Sequence, residues 1–145
     1  MMWGTDRVPA RGGGRGGPVS DAGARYVDAL AAKDTDALLE LFAADIDFRG
    51  MTPGRFWEAG SPEEVVQQVL YQWFEPSDIV EGIEHVEVGA IVDRGRVDYR
   101  FHVRNSDGLF AAEQRGYFDL DGDGRICRMH VMCSGFRAID GAANA

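Results

Sequence analysis

Two polar side chains that can donate a hydrogen bond to an oxygen, Tyr26 and Gln114, lie on otherwise apolar faces of this sequence. Tyr26 lies beside Val27 and Leu30 in an apolar helical stripe, so its phenol is expected to face the interior and donate a hydrogen bond there. Gln114 shares one face of a predicted strand with Phe118, and its amide can donate but cannot act as a general acid. The alternative for both is structural, with each polar group satisfied by its neighbours in the core.

A general base is harder to place. Asp47 is the best-positioned carboxylate, but it alternates with Ile46 and Phe48, which directs it toward solvent. Asp98 and Arg100 alternate with the aromatic residues of their own strand, so we expect them on an outer sheet face or at a dimer surface. Neither pattern predicts a base inside the protein.

The metal-binding and nucleophilic motifs are incomplete. Residues Asp119–Ile126 match the first eight positions of an EF-hand calcium loop, but position twelve, which should be a bidentate glutamate, is His130. Because both flanks are predicted strands, a tight hairpin is the stronger interpretation. Cys127 and Cys133 fall roughly 20 Å apart on one predicted strand, so they cannot pair within it and are expected as small buried hydrophobes. We predict no metal site and no cofactor.

Two helices are predicted around and after Tyr26. Ser20 or Asp21 can cap the first helix, which runs to about Lys33. Asp34 or Thr35 can cap the second, shorter helix.

A short strand, a loop and a third helix follow. Residues 45–49 alternate apolar and charged side chains and predict the strand, and residues 50–60 are predicted as the loop. Residues 61–64 form a capping box with proline at the first helical position, so the third helix is expected to begin there and to end at Pro76.

From residue 85 onward the hydrophobic period changes to two, which is typical of half-buried antiparallel strands. Four strands are predicted, over residues 85–90, 97–104, 109–120 and 125–136. Because the helices come first and the strands follow one another, the order predicts an α+β domain instead of alternating β-α-β units.

Length and composition predict one globular domain. The chain has 145 residues, of which 45% are hydrophobic and 10% aromatic. Residues 1–19 include the glycine-rich segment 11–18, whose few side chains cannot offset the cost of ordering, so we expect a disordered Gly/Arg-rich tail. Residues 20–138 are assigned to the domain and 139–145 to a C-terminal tail.

Charge and hydropathy argue against two classes of partner. A net charge of −9 repels phosphate backbones, so we expect no nucleic acid partner. No apolar run reaches the roughly 18 residues that cross a bilayer, and the N-terminus lacks the apolar core of a signal peptide. We therefore expect no membrane partner and a cytoplasmic location.

Three segments carry a resemblance to a known superfamily. The helix around Tyr26, the segment 39–45 and the hairpin at residues 124–126 resemble the SnoaL-like, nuclear transport factor 2-like (ketosteroid isomerase-like) proteins. The resemblance covers residues 20–138. It implies an NTF2-like cone in which three N-terminal helices pack on a curved, mainly antiparallel sheet around one pocket. It also implies that Tyr26 donates a hydrogen bond to a developing enolate oxygen.

The acid and base positions of the ketosteroid isomerases fall on glycines here. Their general base matches Gly50, and their protonated aspartate, the second oxyanion donor, matches Gly116. Because glycine has no side chain to carry a proton, we do not expect ketosteroid isomerase activity. Gln114, two residues upstream of Gly116, is the nearest side chain that could replace the donor.

The resemblance and the aromatic residues together predict an apolar small-molecule pocket with Tyr26 and Gln114 as its catalytic polar groups. Its expected ligand-binding residues are Phe48, Met51, Trp57, Trp73 and Tyr99. The predicted function is binding of a small hydrophobic molecule, with cofactor-free isomerase, cyclase or hydrolase activity. The alternative is a non-catalytic ligand-binding or dimerisation domain of the same fold. A homodimer through the outer sheet face, near Met132, is also expected.

Overall fold

The computed structural model describes residues 17–139. Two helices open the domain, α1 (Pro18–Ala32) and α2 (Thr35–Leu41). A third, α3, has π-helical turns over Glu64–Leu70 and an α-helical turn over Tyr71–Trp73. Nearly all of both predicted tails, residues 1–16 and 140–145, lies outside the described residues.

Seven strands form one curved, open sheet. They are β1 (Phe42–Thr52), β2 (Arg55–Ala59), β3 (Ile79–Ile91), β4 (Arg94–Asn105), β5 (Gly108–Leu120), β6 (Ile126–Cys133) and β7 (Arg137–Ala138). The spatial order is β2-β1-β6-β5-β4-β3, with β7 paired to β5, and among the strand pairs of residues 17–139 only β1–β6 is parallel. The predicted α+β class with a mainly antiparallel sheet is confirmed.

Helix α1 presents Tyr26 and Leu30 to the core and packs against β3 and β4. It begins earlier than predicted, because Pro18 occupies the first helical position, where the missing N–H costs nothing. Gly17 is the N-cap, so the predicted caps Ser20 and Asp21 are wrong.

Asp34 caps α2, as predicted. Its Oδ1 accepts a hydrogen bond from the backbone N–H of Ala37 at 3.2 Å, which satisfies a donor that has no partner within the helix. Lys33, in the left-handed conformation at φ 54°, precedes it. The Lys33 ammonium donates to the backbone oxygens of Glu75 and Asp78, so the end of α1 is fastened to the segment that follows α3.

Helix α3 differs from its prediction in type and length. The Oγ of Ser61 accepts the N–H of Glu64 at 3.3 Å, as a capping residue should, but the chain then winds as a π-helix. The helix ends at Trp73, three residues before the predicted end at Pro76. Its buried face still includes Val66, Val69, Leu70 and Trp73.

The predicted loop over residues 50–60 is wrong, because this segment is a β-hairpin. Strand β1 continues to Thr52 by pairing with β6, and β2 folds back along it through a turn in which Gly54 has φ 79°. The Trp57 indole donates to the Thr52 hydroxyl at 2.8 Å across this hairpin. At the other end of the chain, β6 stops at Cys133 instead of Phe136.

A continuous line of aromatic rings fills the space between the helices and the sheet, with neighbouring centroids 5.1 to 6.4 Å apart. The contacts are edge-on or tilted, which suits the quadrupoles of the rings. In order, the line contains Trp57, Trp73, Phe48, Phe42, Tyr26, Tyr99, Phe101, Phe74, Phe136 and Phe110.

The opposite sheet face is charged, as expected, but it is not simply solvated. Asp98 is only 4% exposed. Its carboxylate accepts hydrogen bonds from Arg96 and, at 2.6 Å, from Nε of Arg115. Across residues 17–139, no helix is both long and apolar enough to cross a membrane.

We expect Asp34→Ala to lower the free energy of unfolding by about 1 kcal/mol, because it leaves an N–H at the start of α2 unpaired. Urea denaturation measures this change. Asp36→Ala is the matched control, since Asp36 also lies in the first turn of α2 but is not its capping residue. Equal losses in the two variants would contradict the assigned cap.

Candidate functional site

The centre of the candidate site is a hydrogen-bonded cluster of Tyr26, Tyr99 and Gln114, which are 0%, 0% and 1% exposed. Tyr99 and Gln114 are directly paired in the β4–β5 register. The Tyr99 hydroxyl donates to Oε1 of Gln114 and lies 3.1 Å from the Tyr26 hydroxyl. The structure therefore brings the two predicted catalytic residues together through Tyr99, which the sequence identified only as a pocket wall.

The cluster has too few hydrogen-bond partners to satisfy every polar atom, and one atom of the Gln114 amide is left without a partner. Each hydroxyl has a single proton, so when Tyr99 donates to Gln114, Tyr26 can donate to the oxygen of Tyr99. Nε2 of Gln114 then has no partner and is buried. Exchanging the amide oxygen and nitrogen would leave Oε1 unpaired instead, so one amide atom lacks a partner in either orientation.

Burial keeps both tyrosines protonated. Desolvation raises the pKa of Tyr26 well above its usual range, although its hydrogen bond to Tyr99 acts in the opposite direction. Desolvation, followed by the proximity of Tyr26, also raises the pKa of Tyr99. At neutral pH both residues are therefore hydrogen-bond donors and not bases.

Trp73 supplies the second unpaired buried donor. Among the residues that the structure describes, only its Nε1 and Nε2 of Gln114 are buried side-chain nitrogen or oxygen atoms without a hydrogen-bond partner. The Trp73 ring contacts Phe48 at 6.0 Å and Trp57 at 6.1 Å between centroids. Trp57 is half-buried, so this end of the aromatic line approaches the surface.

The glycines at the acid and base positions are covered by apolar side chains. A Cβ at Gly50 would lie 2.5 Å from Cζ2 and 2.6 Å from Cη2 of Trp73. A Cβ at Gly116 would lie 3.1 Å from Cε of Met129. The places from which isomerase carboxylates would project are therefore occupied by Trp73 and Met129.

No other carboxylate among residues 17–139 replaces the base inside the protein. The two that are buried, Asp78 and Asp98, are both engaged elsewhere. Asp78 accepts the Glu75 N–H and the Asn105 amide, each at 2.9 Å, in the segment after α3. Asp47 forms an ion pair with Arg49 at 3.2 Å on the outer face, where both side chains are about half exposed.

Four of the five expected ligand-binding residues, Phe48, Trp57, Trp73 and Tyr99, belong to the aromatic line and fill the interior themselves. Met51 does not join them. It is 43% exposed and lines a groove on the outer face, because Phe48 and Gly50 take the inward positions of β1.

The calcium-like segment forms the predicted hairpin. Oδ1 of Asp121 accepts the N–H groups of Asp123 and Arg125 at 2.9 and 3.0 Å, and Arg94 binds both oxygens of Asp119. Within the described part of the chain, no three His, Cys, Asp or Glu side chains are grouped to hold a metal ion. Cys133 is buried and Cys127 half-buried, and neither forms a disulfide.

We expect Gly50→Ala to destabilise the protein by about 1–3 kcal/mol, because its methyl group would overlap the Trp73 ring. The same change in a Trp73→Leu background should cost less, since the overlapping ring is gone. Urea denaturation of the double-mutant cycle measures this coupling. Gly122→Ala, where a Cβ would meet no atom within 4 Å, is the control. Additive losses would refute the contact.

The raised tyrosine pKa values predict a loss of stability in alkali. An unfolded tyrosine loses its proton near pH 10, whereas Tyr26 and Tyr99 keep theirs in the folded state. Their contribution is complete below about pH 10 and is lost as pH rises further, by up to about 1.4 kcal/mol per pH unit for each tyrosine. Urea denaturation between pH 9 and 11 should show a shallower decline for Tyr26→Phe; an unchanged slope would contradict the assignment.

No protein-family model matches this sequence, and neither does any curated protein sequence. Solved structures do match. An LEH-like epoxide hydrolase from Mycobacterium tuberculosis has 15% identity and a TM-score of 0.62, and the match covers 81% of this chain and 83% of that protein. A candidate polyketide cyclase from Xanthomonas campestris has 18% identity and a TM-score of 0.63, over 79% of this chain and 89% of that one.

A candidate ketosteroid isomerase from Shewanella frigidimarina has 12% identity and a TM-score of 0.57, over 81% of this chain and 97% of the other. At such identities the likeness concerns the fold. The resemblance seen in the sequence is confirmed at that level: the chain has the SnoaL-like, NTF2-like fold.

Proposed function

We propose that this protein binds an uncharged, hydrophobic small molecule in its interior and holds one oxygen of that molecule at Nε2 of Gln114. The observation that supports this proposal is the unpaired, fully buried amide nitrogen at the end of the Tyr26–Tyr99–Gln114 cluster. A buried donor without an acceptor costs about 1–3 kcal/mol, and a ligand oxygen would remove that cost. The hydrogen bond accepted at Oε1 also polarises the amide, which makes Nε2 a better donor.

The surroundings favour an uncharged ligand. The side chains around the cluster are aromatic and aliphatic, and both tyrosines are neutral, so an ion would lose its hydration without finding a partner. A ring system could stack against the aromatic line instead.

Entry requires a side chain to move, and Trp73 is the best candidate. It lies at the end of the aromatic line nearest the half-buried Trp57, and its Nε1 has no partner to hold it. It follows directly after π-helical turns, a geometry found often at functional sites. Displacement of the Trp73 ring would open space beneath Gly50, and its indole N–H could then bind a second ligand oxygen.

The same arrangement limits the chemistry. A carbonyl held at Gln114 is polarised, but the interior provides no carboxylate base at Gly50. Isomerisation that depends on proton transfer by an enzyme base is therefore the least supported reaction. A ring closure would need a basic group of the substrate itself to take the proton from its acidic carbon. That carbon would then bond to the carbonyl carbon held at Gln114, and the carbonyl oxygen would take up the proton. Binding without reaction is the alternative. The homodimer expected from the sequence stays a prediction.

The first test is a thermal-shift screen of the purified protein against steroid ketones, polycyclic aromatic ketones and epoxides, with mass spectrometry and chromatography on each stabilising compound. We expect a ketone to raise the melting temperature more than its carbonyl-free counterpart, because only the ketone can accept a hydrogen bond from Gln114. A change of mass or isomer would add catalysis to binding.

Gln114→Met should weaken binding of such a ketone about tenfold and leave the carbonyl-free counterpart nearly unchanged, because it removes the donor at similar volume. Isothermal titration calorimetry compares the two ligands. Gln67→Met, at an exposed position of α3, is the matched control. Ketone binding that is insensitive to Gln114→Met, or a screen without any ketone bound, would contradict the proposal.

A further inference from the structure

A groove of about 770 Å³ lies on the outer sheet face, on the side of β1, β6 and β5 opposite to the aromatic line. Its floor is formed by side chains that the strand register places side by side. One row crosses four strands as Phe56, Met51, Met132 and Arg115. The next row contains Arg49, His130 and Tyr117. The volume is that of a small-molecule site.

One half of the groove is apolar and accessible. Phe56 is 64% exposed, Met51 43% and Met132 59%, and the three are neighbours in the first row. Exposed large apolar side chains in one row are unusual enough to indicate a binding surface.

The other half is cationic. Arg115, at the end of the apolar row, is held in place by the buried carboxylate of Asp98. Asp98 also pairs with Arg96, and Arg96 approaches Glu87 at 3.8 Å. The ion pairs therefore run from Arg115 at the groove, through Asp98 and Arg96, to the exposed Glu87 at the far end.

Arg49 adds a second guanidinium to the groove. Its pairing with Asp47 is exposed and therefore weak, so Arg49 remains able to bind another anion. Glu113 is the only acid among the lining residues, and Arg100 binds it at 2.7 Å. The spacing of strands and residues places the Cα atoms of Arg49 and Arg115 roughly 12 Å apart, within reach of one acid group from both sides.

We propose that this groove binds a small amphipathic anion, whose acid group contacts Arg115 and Arg49 and whose hydrophobic body lies on Phe56, Met51 and Met132. Guanidinium groups bind carboxylate and sulfonate oxygens through paired N–H donors. The interior site selects a different kind of ligand, since the described buried side chains include no cation. Gln114 borders both sites, but its side chain is buried on the inner face.

A second copy of the chain is the competing occupant, and two observations disfavour it. The exposed apolar row has only three side chains, whereas a stable dimer buries about 800 Å² on each partner. The groove lining contains two arginines and one acid, so two copies that met through it would bring like charges together.

The test uses 8-anilinonaphthalene-1-sulfonate, an amphipathic anion, and N-phenyl-1-naphthylamine, the same body without the sulfonate. Fluorescence titration of the full chain gives the dissociation constant of each probe. We expect Arg115→Gln and Arg49→Gln each to weaken binding of the anionic probe about tenfold and to change that of the neutral probe less than twofold. Met132→Glu should weaken both.

Two control variants distinguish binding in this groove from binding elsewhere on the protein. Arg104→Gln removes an outer-face arginine that pairs with Glu81 away from the groove, and it should leave both probes unchanged. The ketone titrations report on the interior site and the two probes report on the groove, so failure of the interior site and failure of the groove are distinguishable. Arg49→Gln keeps the test valid if Arg115→Gln fails to fold, since the ion pair of Arg49 is exposed.

Two outcomes would overturn the proposal. In the first, binding of the anionic probe is the same in the wild type, Arg49→Gln and Arg115→Gln. In the second, sedimentation velocity shows a dimer that Met132→Glu dissociates, and the anionic probe binds only to the dissociated form. That result would assign the groove to a second copy of the chain.

Discussion

The hydrogen bond from the Tyr99 hydroxyl to Gln114 lies near the middle of the aromatic line. Burying two hydroxyls and an amide is unfavourable unless they bond to each other, and the direct pairing of Tyr99 with Gln114 across β4 and β5 makes that bond available. Tyr26 joins from α1, so the same cluster fixes the helix against the sheet. The packing of the core and the proposed ligand contact therefore depend on the same three side chains.

The alternation of side chains along β1, β5 and β6 gives the sheet two faces of different chemistry. Gly50, Gly116 and Gln114 point inward, and their chain neighbours Met51 and Arg115 point outward. A one-residue shift of register would exchange the two sets, burying an arginine and exposing a core amide. The interior centre and the outer groove are thus consequences of one register.

Much of the fold follows from local signals in the sequence. The cap at Asp34, the third helix after Ser61 and the period of two in the later strands are determined by neighbouring residues, and they were predictable. Of the hairpin over residues 42–59, only the strand at residues 45–49 was predicted, because β1 is extended by pairing with β6, far away in sequence, and β2 pairs with β1 alone. The π-helical turns of α3 likewise have no signal in its hydrophobic period.

The site was predictable only in part. Tyr26 and Gln114 were identified through the resemblance to the isomerases, with the strand face of Gln114 in support, but the contact of Tyr99 with them depends on the β4–β5 register. The outward direction of Met51 follows from the alternation that sends Phe48 inward, and that signal was present in the sequence. The burial of Asp98 had no such signal, because it depends on hydrogen bonds from Arg96 on its own strand and from Arg115 on β5.

The contact between Gly50 and Trp73 explains why the interior lacks a base. A carboxylate at position 50 would have to enter the volume of the indole ring, so it could be accommodated only if residue 73 were also smaller. The two positions are therefore coupled: an aromatic residue at 73 requires glycine at 50, and a base at 50 requires a small residue at 73. With Trp73 beside Gly50, the interior contains an apolar ring and an indole N–H donor in the volume where a carboxylate at position 50 would have been a proton acceptor. A neutral ligand bound as proposed would be polarised by this interior, but any proton removed from it would have to be accepted by a basic group of the ligand itself.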